Sequence, residues 1–191
     1  MNNNKIIVLT GPTASGKSSL AVAIAEKIKG EIISADSIQV YRCFDIGSAK
    51  PTMKELESVK HHLISILNPD EDFNAGRFCK LADEAIAETI SRGKVPIIVG
   101  GTGLYIQALL NGLVTVDDIS DDVYTKIKEI ELSSIPEHRT QGLFSWLKEI
   151  DPKAAKLINA NDLARIRRAL AVMLEFQCSI YDLQAHHQFQ T

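Results

Sequence analysis

The segment Gly11-Pro12-Thr13-Ala14-Ser15-Gly16-Lys17-Ser18 constrains this chain more than any other stretch of its sequence. The short apolar run before it, Lys5 to Thr10, reads as a buried strand ended by Gly-Pro. The residues from Lys17 to Lys29 read as a helix, with Leu20, Ile24 and Ile28 four apart on one face. Glycines at both ends of such a turn tolerate the dihedrals that wrap successive backbone N–H groups around a phosphate. The helix that starts there adds the partial positive charge of its N-terminus. Lys17 supplies a full charge, and the Ser18 hydroxyl is a ligand for Mg²⁺. Gly11 to Ser18 therefore grip a di- or triphosphate. The motif leaves three chemistries open: a nucleotide (ATP) hydrolase, a small-molecule kinase, and an enzyme with diphosphate as leaving group.

Strand and helix patterns continue to alternate over the first two-thirds of the chain. Glu31 to Ala35 reads as a second strand and His62 to Leu67 as a third. Asn74 is placed to cap a helix running to about Ser91, closed by Gly93. Val95 to Val99 is a further buried strand that ends in Gly100-Gly101-Thr102-Gly103, and Leu104 to Leu110 turns helical. Such alternation implies parallel crossover units, hence an α/β, P-loop NTPase-like parallel sheet with helices on both faces. Ligands of these sheets sit at the carboxyl ends of the strands. That rule selects the phosphate grip, the segment after strand two and the Gly-Gly-Thr-Gly turn.

The segment after strand two reads Ser34-Ala35-Asp36-Ser37-Ile38-Gln39-Val40-Tyr41. A carboxylate at Asp36 would face the phosphate grip, where it can take a proton or help hold Mg²⁺. The plainer reading is that Asp36 caps the following turn. Ser37 and Gln39 are able to hydrogen-bond a base edge, and Tyr41 and Arg42 to stack or meet phosphate. Asp45 to Pro51 forms a polar loop punctuated by Gly and Pro. The adjacent His61 and His62 point to opposite faces of a strand, which disfavours a shared metal and favours structural hydrogen bonding.

Five blocks in order resemble the tRNA dimethylallyltransferase family (isopentenyl-diphosphate:tRNA transferases). They are GPTASGKSSLA at 11–21, ISADSIQVY at 33–41, DIGSAKP at 45–51, HHLI at 61–64 and IVGGTGLYIQALL at 98–110, with a weaker likeness over 151–172. The resemblance implies transfer of a dimethylallyl group from dimethylallyl diphosphate to N6 of the adenosine beside the anticodon of tRNA. It also implies that Gly11 to Ser18 hold the prenyl diphosphate, with Lys17 and Mg²⁺ on Ser18 stabilising the leaving group. Asp36 would act as general base, and Thr102 would lie at the reaction centre. Asp36, Ser37, Ile38 and Gln39 match one tRNA-contacting element, and Arg165 and Arg168 a second. Tyr124 stands where the family usually has a further arginine. Members of the family also run on well past the stretch that ends here at Thr191. Prenylation of free adenylate, a kinase activity and an inactive short form are the alternatives this leaves.

From about Asp117 the pattern becomes purely helical: Asp121 to Leu132, Thr140 to Glu149, Pro152 to Ile158 and Asn161 to Gln177. The chain thus divides into an α/β core, residues 1–114, and a small helical subdomain, residues 115–191, with the boundary near Val114 to Ser120. Arg165 and Arg168, three apart, share one helix face, an arrangement suited to phosphates of an RNA backbone. A net charge of -3 argues against an overall basic coat but leaves room for such a local patch. Cys43, Cys79 and Cys178 form no CxxC pair, as expected of reduced thiols. With no apolar run of membrane-spanning length, the expectation is a soluble, cytoplasmic monomer.

Overall fold

The structure is a computed structural model that describes residues 5–113, 119–133 and 139–186. It separates into two compact units, Met1–Leu113 and Val114–Gln190. The boundary expected at Val114 to Ser120 falls largely on residues 114–118, which lie outside the described residues.

The first unit is built on four parallel strands: β1 (Ile7–Thr10), β2 (Gly30–Ser34), β3 (His61–His62) and β4 (Val95–Gly100). Their spatial order is β1-β4-β2-β3. Ile7 pairs with Ile97, Ile33 with Ile98 and Ile32 with His61. Helix α1 (Lys17–Ile28) covers one face, where Ala21 and Ala25 meet Ile32, Ile97 and Val99. Helices α3 (Ala75–Ser91) and α4 (Gly103–Asn111) cover the other, where Phe78, Ala82, Tyr105 and Ile106 meet Ile33, Ala35 and Ile98. The alternating sides of β2 thus serve two separate cores, the arrangement expected of a doubly covered parallel sheet.

Several expectations need correction. The third strand is only two residues long, not six. Leu63 and Ser65 adopt positive φ of 62° and 51°, which turns the backbone out of the sheet. Residues 63–67 instead zip onto the segment after β2, with Ser65 N donating to Gln39 O (2.9 Å) and Ile66 N to Val40 O (2.8 Å). The buried stripe of α1 is Ala21 and Ala25, while Leu20 and Ile28 are exposed. The small alanines let the helix approach the sheet where a leucine row would hold it off. A helix that the sequence reading passed over, α2 (Met53–Ser58), is set by a capping box. Thr52 accepts from Glu55 N, and the Glu55 carboxylate accepts from Thr52 N.

The second unit is helical: α5 (Asp121–Ser133), α6 (Arg139–Ile150), α7 (Pro152–Leu157), α8 (Leu163–Phe176) and α9 (Ile180–His186). The last of these was not anticipated. Its core joins Ile127, Leu143, Leu147, Ile166 and Leu170. Asp151 and Asp162 cap α7 and α8 by accepting from Ala154 N and Arg165 N. Among the described residues no helix is long and apolar enough to cross a membrane.

At the amino ends of β2 and β4, away from the phosphate grip, Glu31 is 1% exposed and surrounded by His62, Arg92 and Lys94. His62 Nε2 lies 2.7 Å from its carboxylate, Lys94 Nζ 3.0 Å and Arg92 Nε 3.2 Å. Burial pushes the Glu31 carboxyl up, but bonds from Arg92, His62 and Lys94 outweigh it and hold the pKa down at about 2. His62 is therefore a structural histidine, and His61 Nδ1, 2.8 Å from Val59 O, is tied as well.

Candidate active site

The phosphate grip proposed from the sequence is a loop with two left-handed residues. Ala14 and Gly16 take positive φ of 63° and 78°, and Gly16 opens α1. Alternating hand along the loop gathers N–H groups into a concave nest for an anion. The first turn of α1 holds no acidic residue, so the positive end of the helix is not neutralised there. Lys17 Nζ donates to Pro12 O at 3.0 Å and forms no ion pair among the described residues.

Close packing brings the Gly-Gly-Thr-Gly turn against this loop and against the segment after β2. A Cβ on Gly100 would stand 2.0 Å from Ala35 O, so only glycine lets β4 pass there. A Cβ on Gly101 would lie 3.4 Å from Gly11 O and 3.8 Å from Lys17 Nζ, which places the turn beside the lysine. Thr102 N donates to Ala35 O (3.3 Å), and Thr102 Oγ1 accepts from Ser37 N (3.1 Å). The three loops that the strand-end rule selected thus adjoin one another.

Asp36 caps the turn and keeps its second oxygen unbonded among the described residues. Its Oδ1 accepts from Ile38 N (2.9 Å) and Gln39 N (3.2 Å), capping the turn. Its Oδ2 makes no hydrogen bond among the described residues, and Asp36 lines a cavity of ≈ 540 Å³. One wall of that cavity is Thr13, Ala14, Ser15, Gly16, Lys17 and Ser18. Gly47 to Pro51, Glu55 and His61 line it too, and Ala21, Val22, Ile32 and Val99 supply apolar surface. Desolvation lowers the pKa of His61, so the imidazole in the wall is neutral at pH 7. The exposed Ser18 hydroxyl and the free oxygen of Asp36 are hard donors of the kind Mg²⁺ takes.

Other residues singled out in the sequence have different surroundings. Ser37 and Ile38 line the turn after Asp36, and Ile38 is half exposed. The Gln39 side chain is turned inward: it donates to Ser48 O (3.2 Å) and Ala49 O (2.9 Å) and accepts from Ser34 Oγ (3.0 Å). Arg42 is bonded to Ser65 O and Asn68 Oδ1. In the helical unit, Arg165 and Arg168 lie on the exposed side of α8. Arg165 pairs with its own cap, Asp162 (3.3 Å), and Arg168 reaches Tyr124 Oη at 3.5 Å. The Arg167 between them is locked to Glu131 on α5. Sequence reasoning did not name the Gly47 to Pro51 wall, Glu55 or His61 as site residues. The Thr52–Glu55 capping box was the available signal for a turn of helix at that place.

Comparison with known proteins agrees with this architecture. The model of the IPP transferase family matches residues 39–191. The tRNA dimethylallyltransferase 1 of Syntrophotalea carbinolica is 47% identical, over 97% of this chain and 58% of that protein. The tRNA dimethylallyltransferase of Acetivibrio thermocellus is 48% identical, over 88% of this chain and 53% of that protein. The chain thus spans little more than half the length of these relatives. A crystal structure of a eukaryotic dimethylallyltransferase acting on tRNA superposes with a TM-score of 0.82 at 30% identity, covering 98% of this chain and 46% of that one. The full-length tRNA isopentenylpyrophosphate transferase of Bacillus halodurans gives 0.59 at 40% identity, covering 94% and 58%. The fold is the P-loop NTPase-like α/β arrangement read from the sequence, and the chain belongs to the IPP transferase family.

Proposed function

We propose that this chain carries the donor site of a tRNA dimethylallyltransferase, which moves a dimethylallyl group from its diphosphate to N6 of the adenosine beside the anticodon. The observation that carries this reading is a carboxylate oxygen, Asp36 Oδ2, free beside a phosphate grip that shares its cavity with apolar surface. A kinase needs the grip; a prenyl donor needs the grip and a place for hydrocarbon.

In the reaction the C1–O bond of the donor breaks and its electron pair leaves with the diphosphate. The N6–C1 bond forms, and the N6 proton passes to Asp36 Oδ2. Charge grows on the leaving oxygens, where the loop amides, the start of α1 and Lys17 stabilise it before it forms. Mg²⁺ at Ser18 would supply further charge neutralisation to the diphosphate. The adenine amine is a weak nucleophile, so orientation and proton removal both count. Thr102, hydrogen-bonded to the Ser37 amide beside Asp36, is the residue of the Gly-Gly-Thr-Gly turn assigned to hold the acceptor. The exposed Arg165 and Arg168 are assigned to the RNA backbone; a single-stranded anticodon loop lets the target base swing out at modest cost. A cytoplasmic monomer is the setting this reading supposes.

Incubating the chain with dimethylallyl diphosphate, Mg²⁺ and tRNA, followed by mass spectrometry of the nucleosides, tests the reading. Dimethylallyl-adenosine is expected from tRNA or an anticodon stem-loop and not from AMP. Product from AMP alone, or transfer of labelled phosphate from ATP to a small alcohol, would replace the reading with another.

A further inference from the structure

The register of the strands measures how deep the cavity beside the phosphate grip runs. Ser34 pairs with Val99; two residues back, Ile32 pairs with Ile97 on one side and with His61 on the other. Two residues of strand span about 7 Å, so Ile32 and His61 form a row that far below Ser34 and Val99. Ser34, Val99, Ile32 and His61 all line the cavity. The next row back, Gly30 with Val95, is not part of the lining among the described residues. The cavity therefore ends at the level of His61.

The imidazole at that level is fixed in place. Its Nδ1 lies 2.8 Å from Val59 O, and a carbonyl only accepts, so Nδ1 carries the proton and Nε2 is left as an acceptor. Nε2 makes no hydrogen bond among the described residues. The adjacent His62 turns to the other face of the sheet, where its Nε2 lies 2.7 Å from Glu31, and this holds the same short strand from behind. Glu55 of α2 also lines the cavity and interacts electrostatically with the His61 ring. Ala21, Val22, Ile32 and Val99 thus give the cavity an apolar face, and His61 with Glu55 gives it a polar end.

A dimethylallyl chain fits the apolar face, because one isoprenoid unit extends over four carbon–carbon bonds, roughly 5 Å. A second unit would overrun the row of His61. It would press hydrocarbon onto an acceptor nitrogen and a carboxylate while offering neither a donor in place of water. We propose that His61 is a specificity-determining residue, which ends the hydrocarbon site after one isoprenoid unit and so sets the length of the prenyl donor. The inference rests on the proposed transfer reaction, which puts a prenyl diphosphate in the grip.

Calorimetric titration with inorganic diphosphate, dimethylallyl diphosphate and geranyl diphosphate, each with Mg²⁺, tests it in the unaltered chain, His61→Ala and His61→Asn. The asparagine amide keeps a donor toward Val59 O on a shorter side chain, and serves where the alanine variant does not fold. The unaltered chain is expected to bind geranyl diphosphate at least about tenfold more weakly than dimethylallyl diphosphate. Both variants should narrow that ratio to about threefold or less by gaining affinity for the geranyl compound. Loss of a merely structural residue gives no such gain. A ratio unchanged in the variants would overturn the inference. So would geranyl binding as tight as dimethylallyl binding before any substitution. Dimethylallyl diphosphate held no more tightly than inorganic diphosphate would remove the hydrocarbon site altogether, and this inference with it. The titrations need neither RNA nor turnover, so a failure of the transfer reading, seen as bound donor without product, is distinguished from a failure of this one.

Discussion

At the scale of the residue, Asp36 is two groups in one side chain. Oδ1 holds the turn through Ile38 N and Gln39 N, and Oδ2 makes no hydrogen bond among the described residues. Asn in its place keeps an oxygen acceptor for the turn but takes no proton. Asp36→Asn should therefore melt within about 2 °C of the native chain while the transfer rate drops by about 10²- to 10⁴-fold. A drop of less than about tenfold in a single-turnover assay would remove Asp36 from the role of base. The sequence could present capping and catalysis only as rivals for this residue. Backbone geometry shows that two oxygens allow both.

At the scale of the element, the approach of β4 to β2 depends on the absence of a side chain at Gly100. The turn that follows then lies beside Gly11 O and Lys17 Nζ. Gly100→Ala places a methyl group 2.0 Å from Ala35 O, against the backbone of Ala35. The expected outcome is a loss of more than about 3 kcal/mol in urea unfolding, or failure to fold. A well-folded variant with unchanged midpoint would mean that β4 does not approach β2 this closely. The elements themselves were largely legible: α3 from Asn74, β4 from its apolar run, α8 from its period. The third strand was misread because His62 to Leu67 carries apolar residues at strand-like density. Positive φ at Leu63 and Ser65 is invisible in residue types that do not demand it.

At the scale of the whole molecule, the first unit is held at its two ends by different means. The carboxyl ends of the strands are kept open and lined by the site. The amino ends are closed by Glu31 with His62, Arg92 and Lys94, which link β2, β3, the end of α3 and the start of β4. The folded pKa of Glu31, about 2, lies below its ordinary 4.5. Its stabilisation is therefore complete above about pH 4.5 and fades as pH falls toward 2. Glu31→Gln should cost about 3 kcal/mol at pH 7, because it leaves cations facing a neutral amide in a buried place. That deficit should narrow as urea unfolding is repeated from pH 4.5 downward. A deficit independent of pH would assign the loss to packing and not to charge.

The sequence by itself determined the parallel α/β core and the family, and it supplied the phosphate grip as a proposal, because each is encoded locally. Glycines at fixed offsets, a strand before and a helix after leave few alternatives for Gly11 to Ser18. The adjoining of Asp36, Thr102 and Lys17 followed from the rule that strand ends share one edge. Only the tertiary structure decided which polar groups remain free. Gln39 and Arg42 look in the sequence like groups that reach outward, yet Gln39 is consumed by Ser48 and Ala49 and Arg42 by Ser65 and Asn68. Hydrogen-bond capacity is spent between segments, and no local pattern records who spends it.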